Sequence, residues 1–140
     1  AQRRLLEDVG GLLAGKVVVD VVAPVAFSKQ TARAVSVAEG SAAQEAQAIL
    51  SGSAVAAAFQ TISAHDLLDP DASLDSDVVV CADDDNARGV VMMLAERIPG
   101  LRAVNGGGLQ NAAYVENLTA LLLNINRLYR TRSSIKITGI

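Results

Sequence analysis

Three short apolar runs, separated by helical patterns, are the feature that most constrains the fold of this chain. The runs are Lys16–Val22, Ala54–Phe59 and Asp77–Ala82, and valine dominates the first and the third. Continuous runs rich in β-branched residues are typical of strands that are covered on both faces, as in parallel sheets. The sequence therefore predicts an α/β fold built on a parallel sheet.

Helical spacing and capping residues predict the helices that lie between these strands. Leucines and a valine repeat at helical spacing over residues 1–13, which predicts the first helix. Ser41 begins a capping box that predicts a helix through Leu50. Ser63 is expected to cap a short helix that ends at Leu68.

The acidic triplet Asp83–Asp85 follows the third apolar run and precedes another helical pattern. Three adjacent carboxylates raise the possibility of a metal site, but acidic residues at a helix start favour capping of the free amides. No further carboxylate at a defined spacing completes a cage, so no metal ligands are assigned. The expected buried face of the helix consists of Met92, Met93, Leu94 and Ile98.

Two connecting segments and the terminus complete the predicted organisation. Residues 25–37 are expected to form an irregular loop after the first strand, at the sheet edge where open α/β sheets bind ligands. A short strand is predicted over Leu101–Asn105, and the alternating tail Ile135–Ile140 predicts a final edge strand. The glycine triplet Gly106–Gly108 is weak evidence for phosphate binding, because it lacks the spacing of a dinucleotide-binding loop.

The longest helical pattern runs from about Gln110 to Arg130 and carries a broad apolar face. A face this wide usually packs against a core or a second subunit. Left exposed, it would form an apolar patch larger than soluble monomers tolerate, so the sequence predicts self-association through this helix. The expected interface residues are Leu118, Leu121, Leu122, Ile125 and Leu128.

Composition excludes several classes of function. The 140 residues, with 51% hydrophobic and 19% charged side chains, suit one globular domain. A net charge of −3 argues against a nucleic-acid partner. No uninterrupted apolar run reaches the ~18 residues that span a bilayer, and the single cysteine, Cys81, is expected to be buried. These features predict a soluble cytoplasmic protein without a membrane segment.

Candidate catalytic side chains are scarce. The only histidine, His65, lies among polar residues and is expected to be solvated, and no serine or cysteine has a histidine–carboxylate arrangement around it. Ligand-facing loops without an acid–base pair suit hydride transfer, where positioning of the cofactors supplies most of the catalysis. We therefore assign no catalytic residue.

Several segments, taken in order, resemble the NADPH-dependent reductases of the deazaflavin coenzyme F420, within the larger NADP-oxidoreductase group. Their order and spacing, rather than any single motif, make the resemblance specific. It covers nearly the whole chain. The segments are "KVVVDVVAPVAF", "SVAEGSAAQEAQAIL", "VAAAFQTISAHDLLDP", "DVVVCADDDNARGVVMMLAERIPGLRAVNGGGLQNAAYVENLTALLLNINRLY" and "IKITGI".

The resemblance implies two cofactors, NADP(H) and coenzyme F420, stacked in a cleft at the carboxyl ends of the strands. Hydride would pass between carbon 4 of the nicotinamide and carbon 5 of the deazaflavin. The segment bordering both rings would comprise Ala23, Pro24, Val25, Ala26 and Phe27. The deazaflavin side would be lined by Gln60, Thr61 and Ile62, with Gln60 or Thr61 bonding to ring oxygens. The tail would close the cleft or meet a second subunit of a homodimer.

A glycine-rich βαβ unit that binds NADPH precedes these segments in the family, and this sequence does not contain it. Residues 1–140 are therefore expected to be the carboxyl-terminal portion of a single Rossmann-like NADP-oxidoreductase domain, incomplete for activity alone, with the missing amino-terminal segment as a possible partner. Two alternatives stay open. One is a non-catalytic dimerisation or docking module, and the other is a related NADP-dependent reductase with another substrate.

Overall fold

A computed structural model describes residues 1–140 and shows strands alternating with helices along the chain. The first helix and the valine-rich strands form where the sequence predicts them. The α-helices are α1 (Gln2–Leu13), α2 (Ala42–Ile49), α3 (Ala64–Leu68), α4 (Asp85–Glu96) and α5 (Ala112–Tyr129), with a 3-10 turn at Leu109–Asn111 before α5. The strands are β1 (Val17–Asp20), β2 (Val25–Phe27), β3 (Ala32–Ala34), β4 (Ala54–Ala57), β5 (Ser76–Ala82) and β6 (Leu101–Asn105).

The main sheet has four strands in the order β1-β4-β5-β6, and it is mixed rather than wholly parallel. β1 runs parallel to β4, and β5 runs parallel to β6. Between these two halves, β4 and β5 are antiparallel and pair only through Ala56 with Ala82 and Ala57 with Cys81. The predicted α/β class is confirmed, whereas the direction of β5 is a correction, because an apolar run indicates burial on both faces but not strand direction.

The segment after β1 is a small hairpin and not the irregular loop that the sequence predicts over residues 25–37. β2 and β3 pair antiparallel, and the amide of Val35 donates to the carbonyl of Pro24 at the open end, at 2.9 Å. The turn is closed by the amide of Ser28, which donates to the carbonyl of Thr31 at 2.9 Å. Strands of three residues are too short to show an alternating pattern, so the sequence gives no signal for them.

The carboxyl-terminal tail is also not the predicted edge strand, because one backbone hydrogen bond and several side-chain contacts, rather than a strand ladder, hold it. The amide of Asp77 donates to the carbonyl of Ile135 at 2.8 Å, and the amide of Ile137 donates to the Asp77 carboxylate at 2.6 Å. Arg102 donates to the carbonyls of Ile137 and Ile140. Residues 135–140 therefore lie beside β5 and β6 without forming a strand.

Two apolar clusters form the core, one on each face of the sheet. α2 and α5 cover one face and α4 covers the other. The buried face of α4 consists of Ala87, Val91 and Ala95, whereas the predicted Met93 and Leu94 are 63% and 50% exposed. Small side chains spaced four residues apart let the helix approach the sheet closely, which the larger residues would prevent.

The long helix α5 divides its apolar residues between the core and the surface. Leu122, one of the expected interface residues, is 7% exposed and belongs to the core of this chain. Leu121 and Leu128 are 55% and 78% exposed, and Leu118 and Ile125 are half-buried. The apolar face of α5 is therefore wide enough to contribute residues both to the core and to the exposed surface. The spacing of the apolar residues did not show which of them belong to each. None of the helices combines the length and apolar character needed to cross a bilayer.

Candidate functional site

The carboxyl ends of β1 and β4 meet at one edge of the sheet, where the sequence places the site. These strands are parallel neighbours, so the residues that follow them lie side by side. The side-chain amide of Gln60 donates to the carbonyl of Asp20 at 3.0 Å and ties the two strand ends together. Gln60, Thr61 and Ile62 are all buried at this point.

The turn after β4 contains a strained residue at its start. Phe59 has a φ of 71°, a left-handed conformation that is uncommon for a bulky side chain. Ser63 then accepts a hydrogen bond from the amide of Asp66 and begins α3, which confirms the predicted cap. Strain of this kind costs about 1–3 kcal/mol and persists only where the surrounding structure enforces it. The turn is therefore held in one shape before any ligand arrives.

A cavity of about 310 Å³ lies between this turn, α5 and the start of the carboxyl-terminal tail. Its size is at the lower end of the range for small-molecule sites. The three predicted residues Gln60, Thr61 and Ile62 line it together. The remaining lining residues are Ser63, Ala64, Thr119, Leu122, Leu123, Asn126, Arg132 and Ser133.

One polar atom in this wall lacks a partner. Oε1 of Gln60 is buried without a hydrogen bond, and it is the one such side-chain atom in the protein. Its orientation is fixed, because the carbonyl of Asp20 can only accept and so selects the amide nitrogen of Gln60. A buried acceptor without a partner costs about 1–3 kcal/mol, so a ligand that donates an N–H or O–H would recover that energy.

Helix α5 forms hydrogen bonds with the two segments that follow β1 and β4, namely the β2–β3 hairpin and the turn after β4. The hydroxyl of Thr119 donates to the carbonyl of Gln60 at 2.9 Å. Five residues further on, the side chain of Asn124 accepts from the amide of Ala32 at 2.8 Å and donates to its carbonyl at 2.7 Å. One rigid helix therefore fixes the turn after β4 and the β2–β3 hairpin relative to each other.

The other predicted segment, residues 23–27, lies in this hairpin and not in the cavity wall. Val25, Ala26 and Phe27 form β2, and Ala23 and Pro24 join it to β1. None of the five lines the 310 Å³ cavity, and Phe27 is 71% exposed. The structure thus brings Gln60, Thr61 and Ile62 together and places residues 23–27 in the neighbouring hairpin.

Two buried carboxyl groups near this edge were not predicted from the sequence. Asp20 is 5% exposed and Glu116 is 3% exposed. Burial raises the pKa of both groups, although hydrogen bonds from backbone amides oppose the shift. Glu116 accepts from the amides of Ala42 and Ala43 at 2.8 and 3.2 Å and so caps α2 from a distance. A carboxylate within the apolar stripe of α5 is the sequence signal that could have identified it.

A third buried carboxylate lies beneath the tail and has a different environment. Asp77 is 0% exposed and accepts two hydrogen bonds from Arg102, at 2.8 and 2.6 Å. Hydrogen bonding to Arg102 lowers the pKa of Asp77 against the opposing effect of burial. This pair belongs to the anchor of the tail.

The remaining motifs have structural roles. The carboxylate of Asp84 accepts from the amide of Ala87 at 2.7 Å, which confirms the predicted cap of α4. Cys81 is buried as predicted, and burial raises the pKa of its thiol to about 11. A Cβ at Gly106 would lie 2.5 Å from the sulfur of Cys81, so that glycine is required by packing. The side chain of His65 is 71% exposed, as predicted.

Comparison with known proteins identifies relatives along the whole chain. The chain is 38% identical over 145 residues to the F420-dependent NADP reductase of Methanothermobacter marburgensis, and the match covers 100% of this chain and 65% of the relative. The corresponding reductase of Methanothermobacter thermautotrophicus is also 38% identical, with 100% of this chain and 62% of the relative covered. That of Methanocaldococcus jannaschii is 35% identical over 91% of this chain and 59% of the relative. No family model matches the sequence.

A solved structure shows the same fold. It is the crystal structure of a protein from Arthrobacter sp. FB24, provisionally described as an F420-dependent NADP reductase. The TM-score is 0.81 at 23% identity, over 93% of this chain and 61% of that chain. The sequence matches confirm the resemblance inferred from the segments above, and the chain spans less than two thirds of the length of these relatives.

Proposed function

We propose that this chain, which is homologous to F420-dependent NADP reductases along its whole length, forms the deazaflavin-binding part of an oxidoreductase. The enzyme would transfer hydride between NADP(H) and coenzyme F420. Residues 1–140 would be the carboxyl-terminal portion of one NADP-oxidoreductase domain, with the NADPH-binding unit supplied by a preceding segment.

The observation that carries this proposal is the wall formed by Gln60, Thr61 and Ile62. It combines a cavity, a strained turn and an unpartnered buried acceptor at the carboxyl ends of parallel strands. The two cofactors supply the redox chemistry when bound. Gln60 would accept a hydrogen bond from the deazaflavin ring, while Thr61 and Ile62 would fix the ring plane. Hydride transfer needs reacting carbons about 3–3.5 Å apart, so a rigid wall is a direct catalytic requirement.

The hairpin residues 23–27 would form the opposite wall, toward the nicotinamide. This assignment is supported by the parallel pairing of β1 and β4 and by the shared bracing of both walls by α5. The exposed ring of Phe27 would be covered when the cofactors and the preceding segment are in place. No side chain is assigned as an acid or a base.

The test is the reaction itself. A preparation that contains this chain and its NADPH-binding segment is expected to bleach the visible absorbance of oxidised F420 when NADPH is added. FMN in place of F420 is the matched control for a related reductase with another substrate. Bleaching of FMN but not of F420 would favour that alternative, and binding of neither cofactor would favour a docking module.

We further propose that the enzyme is a homodimer that works in the cytoplasm. The exposed apolar side chains Tyr114, Leu121 and Leu128 on α5 support the dimer. The unpaired thiol of Cys81 suits a reducing compartment. The double variant Leu121→Glu/Leu128→Glu is expected to halve the mass measured by light scattering. A dimer that survives this change would place the interface elsewhere.

A further inference from the structure

The hairpin and the carboxyl-terminal end of α5 concentrate positive charge beside the cavity, although the chain as a whole is acidic. Lys29 and Arg33 are the only charged residues in positions 24–37. Arg127, Arg130 and Arg132 are the only charged residues in positions 117–135. All five side chains are exposed, and no carboxylate occurs in either segment. We call these five residues the cationic surface.

Contacts between the two segments bring the hairpin and the end of α5 together. Asn124 binds both backbone groups of Ala32, the residue before Arg33. The guanidinium of Arg127 donates to the carbonyl of Lys29 at 3.2 Å. Lys29 and Arg127 therefore lie side by side, although 98 residues separate them in sequence.

The cationic surface reaches the rim of the cavity. Arg132 lines the cavity that Gln60 and Thr61 also line, and Arg130 lies in an adjoining depression with Thr131 and Arg132. The one carboxylate in contact with it there is Asp66, which is 2.6 Å from the guanidinium of Arg132. Arg132 therefore belongs to the cavity that Gln60 lines, and Arg130 belongs to the depression that shares Arg132 with it.

We propose that the cationic surface binds the anionic tail of the deazaflavin coenzyme, which consists of a phosphodiester followed by glutamyl carboxylates. The proposal rests on the function proposed above and assigns these residues to the tail. Arginine suits this role, since its guanidinium binds phosphate and carboxylate oxygens through paired hydrogen bonds. Exposed charges act mainly on encounter and orientation, so the tail would guide the ring into the cavity.

Binding of two deazaflavins to the chain tests this assignment, with the deazaflavin fluorescence as the signal. One ligand is F420, and the other is the same ring with its ribityl group but without the phosphodiester and glutamate tail. We expect F420 to bind about tenfold more tightly at low salt, and the difference to shrink as salt screens the charges. Equal affinity of the two ligands at low salt would overturn the assignment while leaving the proposed function intact.

A charge-matched pair of variants locates the effect. Lys29→Gln/Arg130→Gln, which leaves the cavity lining intact, is expected to weaken F420 binding about tenfold and to leave the tail-less ligand unchanged. The control Arg4→Gln/Arg97→Gln removes the same charge from exposed positions elsewhere and should change neither. Equal losses for both ligands, or the same loss in the control, would contradict the proposal.

The 2′-phosphate of NADPH is the other anion that this surface could hold. To distinguish this ligand, NADPH and NADH are compared as hydride donors in the wild-type enzyme and in Lys29→Gln/Arg130→Gln. An unchanged preference for NADPH supports the tail assignment, and a lost preference would overturn it. If neither deazaflavin binds the chain at any salt concentration, the proposed function fails together with the tail assignment.

Discussion

The tail anchor and the cavity edge bury carboxyl groups in opposite ways. At the tail anchor, Asp77 has a guanidinium partner and an amide donor, and its pKa is lowered. At the cavity edge, Asp20 and Glu116 have only uncharged donors, their pKa values are raised, and Gln60 beside them keeps an unpartnered oxygen. The anchor is satisfied within the chain, whereas the cavity edge is not. A fold tolerates this cost at functional sites, so the difference supports the cavity edge as the binding site.

The largest effect is expected from bulk at the cavity edge. Thr61→Trp should lower the rate of F420 reduction at least about a hundredfold, because a displacement of ~1 Å misaligns the reacting rings. NADPH binding should change little. Thr61→Val, which keeps the volume, is the control for loss of the hydroxyl alone. Normal turnover by a folded Thr61→Trp enzyme would show that this wall is not part of the deazaflavin site.

A substitution at the tail anchor should change the stability of the protein rather than its turnover. Asp77→Ala removes the acceptor for Arg102 and for the amide of Ile137, and we expect unfolding to become easier by about 2 kcal/mol. Chemical denaturation measures the change. Turnover per folded molecule should stay close to that of the wild type. A large loss of turnover without a loss of stability would show that the tail anchor and the cavity edge are not separate in function.

A smaller effect is expected from the unpartnered oxygen. Gln60→Met has a similar shape but removes both the bond to Asp20 and the buried acceptor, so the two changes in stability should largely cancel. Affinity for the deazaflavin should fall about tenfold, the equivalent of one hydrogen bond. Calorimetric titration measures the affinity separately from the change in stability. Unchanged affinity would mean that Gln60 does not contact the ring.

The smallest effect concerns pH. Because the folded pKa of Glu116 is raised above its ordinary value of 4.5, its ionisation costs stability. The stability associated with the neutral carboxyl group is fully present below pH 4.5 and is lost as the pH rises through the folded pKa. Glu116→Gln should lower stability overall but flatten this part of the profile. The lowered pKa of Asp77 acts in the opposite sense, since protonation below its ordinary value of 3.8 removes its stabilisation. An unchanged profile in Glu116→Gln would mean that another group causes the slope.

Local features of the fold could be predicted from the sequence because they depend on neighbouring residues. The caps at Ser41, Ser63 and Asp84 satisfy amides three residues away, and each forms as predicted. The strands β1, β4 and β5 follow from their apolar runs. The wall residues Gln60, Thr61 and Ile62 came from the family resemblance, and they line one cavity.

The features that could not be predicted depend on distant partners. Glu116 is buried because it accepts from amides more than seventy residues away, and the tail is held by a carboxylate sixty residues away. The hairpin around residues 25–34 is stabilised by Asn124, so its three-residue strands need a helix that the local sequence does not reveal. Such long-range hydrogen bonds have no periodic signature in the sequence.

The antiparallel junction between β4 and β5 divides the loops of the chain between two edges of the sheet. The carboxyl ends of β1 and β4 open toward the cavity, while those of β5 and β6 point to the opposite edge. The aspartate triplet at residues 83–85 and the glycine triplet at residues 106–108, the two motifs that most resemble ion or phosphate sites, therefore lie away from the cavity. Because β5 is reversed, the loops after β5 and β6 do not reach the cavity, and the two motifs serve the scaffold: Asp84 caps α4, and Gly106 packs against Cys81.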